Sequence, residues 1–190
     1  MTMSFNQSVF LFVHHLAGRS GWIDGVGVFF ADWLPYLLAA GFVVFVLGQK
    51  GWRQRFYLFA EGALAVIVAR GLVTETIHLL YHEERPFSFY HFAPLVPGIG
   101  WSFPSAHAAA FFALATMLWY FNRRWGVWYF AFAVMNGVAR VYAGVHWPLD
   151  IVGGVAVGVL SAMAVHAALK ASRQALEHSV GHAFDNSAVQ

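Results

Sequence analysis

The sequence predicts an all-α integral membrane protein, a bundle of about five transmembrane helices preceded by an N-terminal interfacial helix. Apolar residues make up 59% of the 190-residue chain and charged residues only 11%, whereas a soluble domain carries about 25% charged residues. The mean hydropathy is +0.60. Several stretches are apolar and long enough to cross a hydrocarbon layer of roughly 30 Å at about 1.5 Å per residue.

The five spans are expected at residues 24–48, 56–80, 104–121, 125–142 and 148–169. Ahead of them, residues 4–17 are too few to cross a bilayer easily, but their apolar side chains recur at helical spacing. This pattern is typical of a helix that lies in the membrane interface or dips partway into it, so 1–23 is interpreted as an interfacial segment. At the other end, 172–190 forms a polar C-terminal tail that we expect to fray.

Charge placement orients the predicted bundle. Basic residues follow the first, third and fifth spans: Lys50, Arg53, Arg55, Arg123, Arg124, Lys170 and Arg173. The positive-inside rule assigns that face to the cytoplasm. The outer, or periplasmic, face of the cytoplasmic (inner) membrane would then carry the N-terminal helix, the loop 81–103 and the turn 143–147.

Composition also excludes several classes of function. A formal net charge of +2 without a basic tract argues against a nucleic-acid partner. The chain contains no cysteine, which excludes disulfides, zinc-thiolate sites and thiol nucleophiles. No carboxylate cluster of the kind that binds metal ions accompanies the histidines of the outer face, so neither a metal nor another cofactor is expected.

The outer face instead collects polar side chains at the ends of the spans. They are His78, Arg85, Ser105, His107, Arg140, His146 and Asp150. If the spans are antiparallel neighbours, these groups meet in one layer. The planar guanidinium groups of Arg85 and Arg140 match phosphate oxygens, and the helix N-terminus near Ser105 offers free backbone N–H groups to an anion.

Two histidines complete a set suited to metal-free phosphoryl transfer. His146 and Asp150 are four residues apart and can share one helix face. A carboxylate on one ring nitrogen leaves the other nitrogen free to attack phosphorus. His107 is then available as the general acid and base.

These residues resemble the signatures of the type 2 phosphatidic acid phosphatase (PAP2) superfamily, K-x6-R-P, P-S-G-H and S-R-x5-H-x3-D. The matching segments are His78…Arg85-Pro86, Pro104-Ser105-Ala106-His107 and Ala139-Arg140…His146…Asp150. The resemblance implies a PAP2-like helical bundle, with residues 1–171 as a single membrane phosphatase domain and 81–103 as its active-site loop. It also implies a phosphohistidine intermediate, with His146 as nucleophile, Asp150 orienting it, His107 as acid and base, and Arg85, Arg140, Ser105 and His78 binding phosphate.

Within the superfamily, the chain is most similar to the bacterial undecaprenyl-pyrophosphate phosphatases associated with bacitracin resistance and cell-wall biogenesis. The segments that carry this weaker similarity are His14-His15-Leu16-Ala17-Gly18, Asp24 and Trp33-Leu34-Pro35-Tyr36. The implied partners are the membrane and a lipid pyrophosphate or phosphate substrate, whereas the oligomeric state is left open.

Three positions depart from the signatures. His78 replaces a lysine, and we expect Glu75, three residues earlier, to hold it in its charged form. Ala106 replaces glycine but keeps the helix N-terminus, and Ala139 replaces serine and removes one hydrogen-bond donor. None of the three changes removes a proposed catalytic group.

Other functions stay open at this level. Phosphatidylglycerophosphate or phosphatidate could be the substrate instead of a polyprenyl pyrophosphate. The chain could also bind or transport a lipid without turnover. A haem-binding membrane protein is a remote alternative, because haem needs histidines deep in facing spans and the histidines here gather near span ends.

Overall fold

The computed structural model of the chain describes residues 4–187, with side-chain surroundings up to residue 175. Every regular element in that range is a helix. We number them α1 (Phe5–His14), α2 (Gly21–Leu47), α3 (Trp52–Leu80), α4 (Pro86–Tyr90), α5 (Ala106–Phe121), α6 (Arg123–Tyr142) and α7 (Pro148–Ser187). The expected all-α membrane architecture is confirmed, and the ends of the spans up to α6 differ by a few residues from those predicted.

Helix α5 occupies the centre of the bundle and packs against α3, α6 and α7. Its buried face is built largely of small side chains, among them Ala108, Ala109 and Ala113. Opposite them, α7 carries Gly154 and Gly158. A Cβ atom on Gly154 would lie 2.6 Å from Ala108 Cβ, so the two backbones approach each other too closely for a larger residue.

Three helices satisfy the length and hydropathy expected of a membrane span: α2, α3 and residues 148–175 of α7. Helix α5 is apolar but has 16 residues, which gives a rise of about 24 Å. Helix α6 has 20 residues, but it contains the polar side chains of Asn136 and Arg140. Helix α5 is largely buried by its neighbours, whereas α6 buries Asn136 and Arg140 in the bundle and exposes an apolar face on its other side.

The C-terminus differs from the sequence-based expectation. The fifth span was expected to end near residue 169 and 172–190 to fray, but α7 continues to Ser187; residues 188–190 lie outside the described range. The segment HAALKASRQALEH (166–178) explains the difference, because alanine, leucine, lysine, glutamine and glutamate are good helix formers.

Helix α1 covers the end of the bundle where the connections 81–105 and 143–147 meet. Phe10 is fully buried and packs edge-on against Trp147, with ring centroids 5.1 Å apart. With 10 residues the helix is about 15 Å long and cannot cross a bilayer. This length is consistent with the interfacial position predicted for 4–17.

Two spans contain π-helical stretches, Phe29–Trp33 in α2 and Ile67–Thr74 in α3. The hydroxyl of Thr74 donates to the carbonyl of Ala69 over 2.9 Å, inside the second stretch. Such insertions rotate the following side chains relative to an ideal α-helix and often occur near functional groups.

The close approach of α5 and α7 predicts the effect of a small substitution. In Gly158→Ala, the new Cβ would lie 2.9 Å from Ala113 N and 3.0 Å from Phe112 Cβ. We expect a loss of about 1–3 kcal/mol in the free energy of unfolding, measured as a lower thermal midpoint in detergent. The control is Gly71→Ala, since a Cβ there would meet nothing within 4 Å. A midpoint for Gly158→Ala equal to that of the control would contradict the packing argument.

Candidate active site

The carboxylate of Asp150 gathers three donors on a single oxygen. Its Oδ2 accepts hydrogen bonds from Ser102 Oγ at 2.5 Å, from the Trp147 backbone N–H at 2.7 Å and from His146 Nδ1 at 3.1 Å. Asp150 and Ser102 are fully buried. The carboxylate therefore joins the loop before α5 to the turn before α7, and it fixes the histidine that the i,i+4 spacing predicted.

Hydrogen-bond partners define the tautomer of His146. Nδ1 faces the Asp150 carboxylate, so it carries the proton, and Nε2 lies 3.3 Å from Arg85 Nη1, which can only donate. Nε2 therefore presents its lone pair. Burial, followed by the positive charges of Arg140 and Arg85, lowers the pKa of His146 well below its usual value of 6.5, so the ring is neutral at physiological pH.

Arg85 uses all five of its N–H groups. Besides His146, its guanidinium donates to the backbone carbonyls of Ile99, Gly100, Trp101 and Val145, at distances between 2.8 and 3.0 Å. A guanidinium offers five donors in all. Arg85 thus holds residues 99–101 against the turn that carries His146, and only the bond to His146 is to a side chain.

Arg140 differs sharply from Arg85. It is 4% exposed, and Nη1 donates to the carbonyl of Ala31 over 3.3 Å. Its Nε is buried and, among the described residues, has no hydrogen-bond partner. Arg140 is therefore a buried cation with donors to spare, the condition expected of a group that receives an anion.

The N-terminus of α5 adds further donors. Ser105 is the N-cap residue: its hydroxyl accepts a long hydrogen bond of 3.5 Å from Ala108 N–H, and its own N–H donates to the Asp150 carbonyl over 3.0 Å. The N–H groups of Ala106 and His107 precede the first intrahelical bond and point out of the helix end. His107 lies within Coulombic range of Arg140, His146 and Arg85.

His78 borders the same site. Its Nε2 lies 3.0 Å from the carbonyl of Pro104, to which it donates, and its Nδ1 lies 3.8 Å from Glu75 Oε2. The predicted proximity of His78 and Glu75 is therefore present. The ring is hydrogen-bonded to the residue that precedes the N-cap of α5, so it can position that end of the helix.

Sequence reasoning missed three supporting groups. Ser102 donates to Asp150, the indole N–H of Trp147 donates to the Glu84 carbonyl over 2.8 Å, and the Glu83 carbonyl accepts from Ser102 N–H over 2.9 Å. No local pattern marks them, because each pairs with a residue far along the chain. Within the range described, no group of three histidine, aspartate or glutamate side chains could hold a metal ion.

An apolar cavity of about 530 Å³ opens beside His107, between α2, α3 and α5. Its walls include Phe42, Val66, Phe111 and Leu114. A cavity of this size and lining suits a hydrocarbon chain. The cavity begins at His107, so a lipid bound there would have its head group next to the polar residues of the site.

Comparison with known proteins identifies relatives that match most of the chain. The model of the PAP2 superfamily matches residues 59–174. The chain is 30% identical over 168 residues to the bacitracin transport permease protein BcrC of Bacillus licheniformis, covering 86% of this chain and 81% of that protein. It is 26% identical over 158 residues to the undecaprenyl-diphosphatase BcrC of Bacillus subtilis, covering 82% and 79%.

A third relative and a solved structure are also similar. Phosphatidylglycerophosphatase B of Bacillus subtilis is 35% identical over 156 residues, covering 75% of this chain and 73% of that protein. The crystal structure of Aquifex aeolicus LpxE superposes with a TM-score of 0.71 at 22% identity, covering 86% of this chain and 95% of that one. This likeness concerns the fold alone.

The pKa of Glu83 generates a pH prediction. Burial and, secondarily, the nearby Asp150 carboxylate raise it from 4.5 to about 7. The folded state thus holds this proton more tightly than the unfolded chain, and the stability it contributes is lost as the pH rises from about 4.5 through 7. Glu83→Gln should gain thermal stability relative to wild type across that window, modestly because the side chain is only partly buried.

The exposed neighbouring residue provides the control. Glu84→Gln retains the backbone carbonyl that accepts from Trp147, and its midpoint should follow the wild-type pH profile. A difference between Glu83→Gln and wild type that stays constant from pH 4.5 to 8 would show that Glu83 does not titrate in this window.

Proposed function

Because the chain belongs to the PAP2 superfamily of membrane phosphatases, we propose that it hydrolyses undecaprenyl pyrophosphate to the monophosphate and inorganic phosphate. The observation that supports the reaction is the hydrogen bonding of His146. Its Nδ1–H donates to the Asp150 carboxylate, and its Nε2 presents a lone pair beside Arg85. The name of the Bacillus subtilis relative supports the pyrophosphate substrate, and the name of the Bacillus licheniformis relative supports a role in bacitracin resistance.

In the first step, the terminal phosphoryl group displaces the bond between Arg85 and His146. Its oxygens accept N–H donors from Arg85, Arg140 and the N-terminus of α5, with Ser105 and His78 at the edge of the site. His146 Nε2 then attacks phosphorus and the bond to the bridging oxygen breaks. His107 protonates that oxygen, and the lipid monophosphate departs.

In the second step, water hydrolyses the phosphohistidine. His107, now neutral, removes a proton from the water, the P–N bond breaks, and His146 is restored with inorganic phosphate as the product. Asp150 stabilises the positive charge that His146 carries while phosphorylated. Donors held in place before the reaction provide most of the transition-state stabilisation, and no step draws on a metal ion.

The lipid part of the substrate has a complementary surface. His107 protonates the leaving oxygen, so the leaving lipid lies on the side of His107 where the apolar cavity of about 530 Å³ begins. A polyprenyl chain would fill this cavity and extend between α2 and α3 into the bilayer. A lipid monoester such as phosphatidylglycerophosphate is the second candidate, which the similarity to phosphatidylglycerophosphatase B favours.

We also propose that the site opens to the outer face of the cytoplasmic membrane. The polar layer lies at the end of the bundle that α1 covers, whereas the basic residues of 50–55 and 123–124 lie at the opposite end of the same helices. The positive-inside rule then assigns the polar layer to the outside.

Removing the nucleophile should abolish turnover. We expect His146→Ala to lower phosphate release from undecaprenyl pyrophosphate by about 10³-fold or more, because the substitution removes the nitrogen on which the covalent intermediate forms. The control is His82→Ala, an exposed histidine whose ring packs at a tilt against Trp101 in the same connection, and it should retain activity. Phosphate release by wild type from undecaprenyl pyrophosphate, phosphatidylglycerophosphate and phosphatidate ranks the substrates.

Two results would contradict the proposal. Substantial turnover by folded His146→Ala would remove this histidine as the nucleophile. A wild-type preference for phosphatidylglycerophosphate or phosphatidate over the pyrophosphate would retain the mechanism but replace the substrate.

The orientation predicts which residues an external reagent can reach. The chain contains no cysteine, so Ile99→Cys creates a unique thiol in the loop 81–103, at a side chain that is 89% exposed. It should react with an impermeant maleimide added to intact cells, whereas the control Arg53→Cys should react only after lysis. The opposite pattern would place the site in the cytoplasm.

A further inference from the structure

We propose that Arg70 binds the lipid-side phosphate of a pyrophosphate substrate and thereby makes the site selective for lipid pyrophosphates over lipid monophosphates. This assignment rests on the proposed function and adds a residue to it. Arg70 lies outside the three signature segments, on the π-helical stretch of α3.

Arg70 lines the apolar cavity that begins at His107. The walls of this cavity are otherwise built mainly of hydrophobic side chains, and the charged or polar groups among them are Asp32, Tyr36, Arg70 and His107. A hydrocarbon chain requires no cation. An arginine at this position therefore indicates that an anionic group of the substrate enters the cavity beside His107.

The charge of Arg70 is not balanced by a neighbouring carboxylate. Among the described residues, its guanidinium makes neither an ion pair within 4.0 Å nor a side-chain hydrogen bond. An arginine within a membrane span costs several kcal/mol unless it pairs or faces a polar cavity. Asp32 lines the same cavity, but its carboxylate is not within 4.0 Å of the Arg70 guanidinium.

The order of groups along the reaction path identifies the anion. His146 attacks the terminal phosphorus, and His107 protonates the bridging oxygen as it leaves. The second phosphate of a pyrophosphate is bonded to that oxygen, so it lies beyond His107, on the cavity side. Arg70 lies on this side and within Coulombic range of His107, where its donors can bind the second phosphate.

A lipid monophosphate would not use this contact. Its single phosphoryl group would lie against His146, and the leaving oxygen would be bonded directly to carbon. Nothing anionic would then reach Arg70. The pyrophosphate also gains in the transition state, because negative charge builds up on the departing phosphate as the bridging bond breaks.

The test compares two substrates with the same hydrocarbon chain, farnesyl pyrophosphate and farnesyl monophosphate, using purified enzyme in detergent. Arg70→Gln should lower kcat/KM for the pyrophosphate by about 10- to 100-fold, as expected for a lost charge-assisted hydrogen bond. The monophosphate should change by less than about twofold. Arg70→Lys, which keeps the charge, should recover part of the loss for the pyrophosphate.

Arg53→Gln is the matched control, since Arg53 is an exposed arginine of the same helix near its opposite end. It should leave both substrates unchanged. Inhibition by farnesyl methylenediphosphonate, which the enzyme cannot cleave at the bridging position, provides a binding measurement. Arg70→Gln should weaken this inhibition and leave inhibition by farnesyl phosphonate unaltered.

The outcomes separate the inference from the proposed function. An equal loss of kcat/KM on both substrates in Arg70→Gln would mean that Arg70 supports the fold. No loss on either substrate would mean that Arg70 contacts neither. Both results would overturn the inference, but they would leave wild-type pyrophosphate hydrolysis unaffected. Wild-type release of phosphate from farnesyl monophosphate but not from the pyrophosphate would overturn the proposed substrate and the inference together.

Discussion

The geometry of the site depends on the buried carboxylate of Asp150. Its Oδ2 binds Ser102, Trp147 and His146, and its backbone carbonyl accepts from Ser105 N–H. One residue at the start of α7 therefore fixes the imidazole, the loop before α5 and the cap of α5. A carboxylate can remain charged in a buried position only when donors surround it. The contacts that orient His146 therefore also offset the cost of burying the Asp150 carboxylate.

The two signature arginines differ in how many of their N–H donors are already bound within the protein. The five N–H groups of Arg85 donate to four carbonyls and to His146. These bonds hold residues 99–101 against the site before substrate binds. Arg140 has a buried Nε, and Asp150 a buried Oδ1, without partners among the described residues. An unsatisfied buried polar atom costs about 1–3 kcal/mol. An incoming phosphate would relieve this cost at Arg140, so part of the binding energy is already stored in the folded protein.

The sequence predicted those parts of the site that follow from local spacing or helix ends. His146 and Asp150 meet because four residues make one helical turn, and Ser105 caps α5 because a proline and a serine precede an alanine-rich run. The contact between Ser102 and Asp150 joins residues 48 positions apart. It could not be predicted from the sequence, because the loop 81–103 has no periodic pattern that indicates which side chains face the site. The π-helical stretch around Arg70 was equally hidden, because the residue types there also suit a regular helix.

The packing of α5 against α7 at the centre of the bundle also sets the geometry of the site. A Cβ on Gly154 would lie 2.7 Å from the carbonyl of Ser105, so α7 contacts the residue that caps α5. That close approach fixes the height of α5 relative to α7, and hence the distance between the free N–H groups at the cap and His146, which precedes α7. Since small residues form this contact, a shift of one helical turn would bring larger side chains together. The register of two helices thus sets the separation between the nucleophile and the donors that bind phosphate.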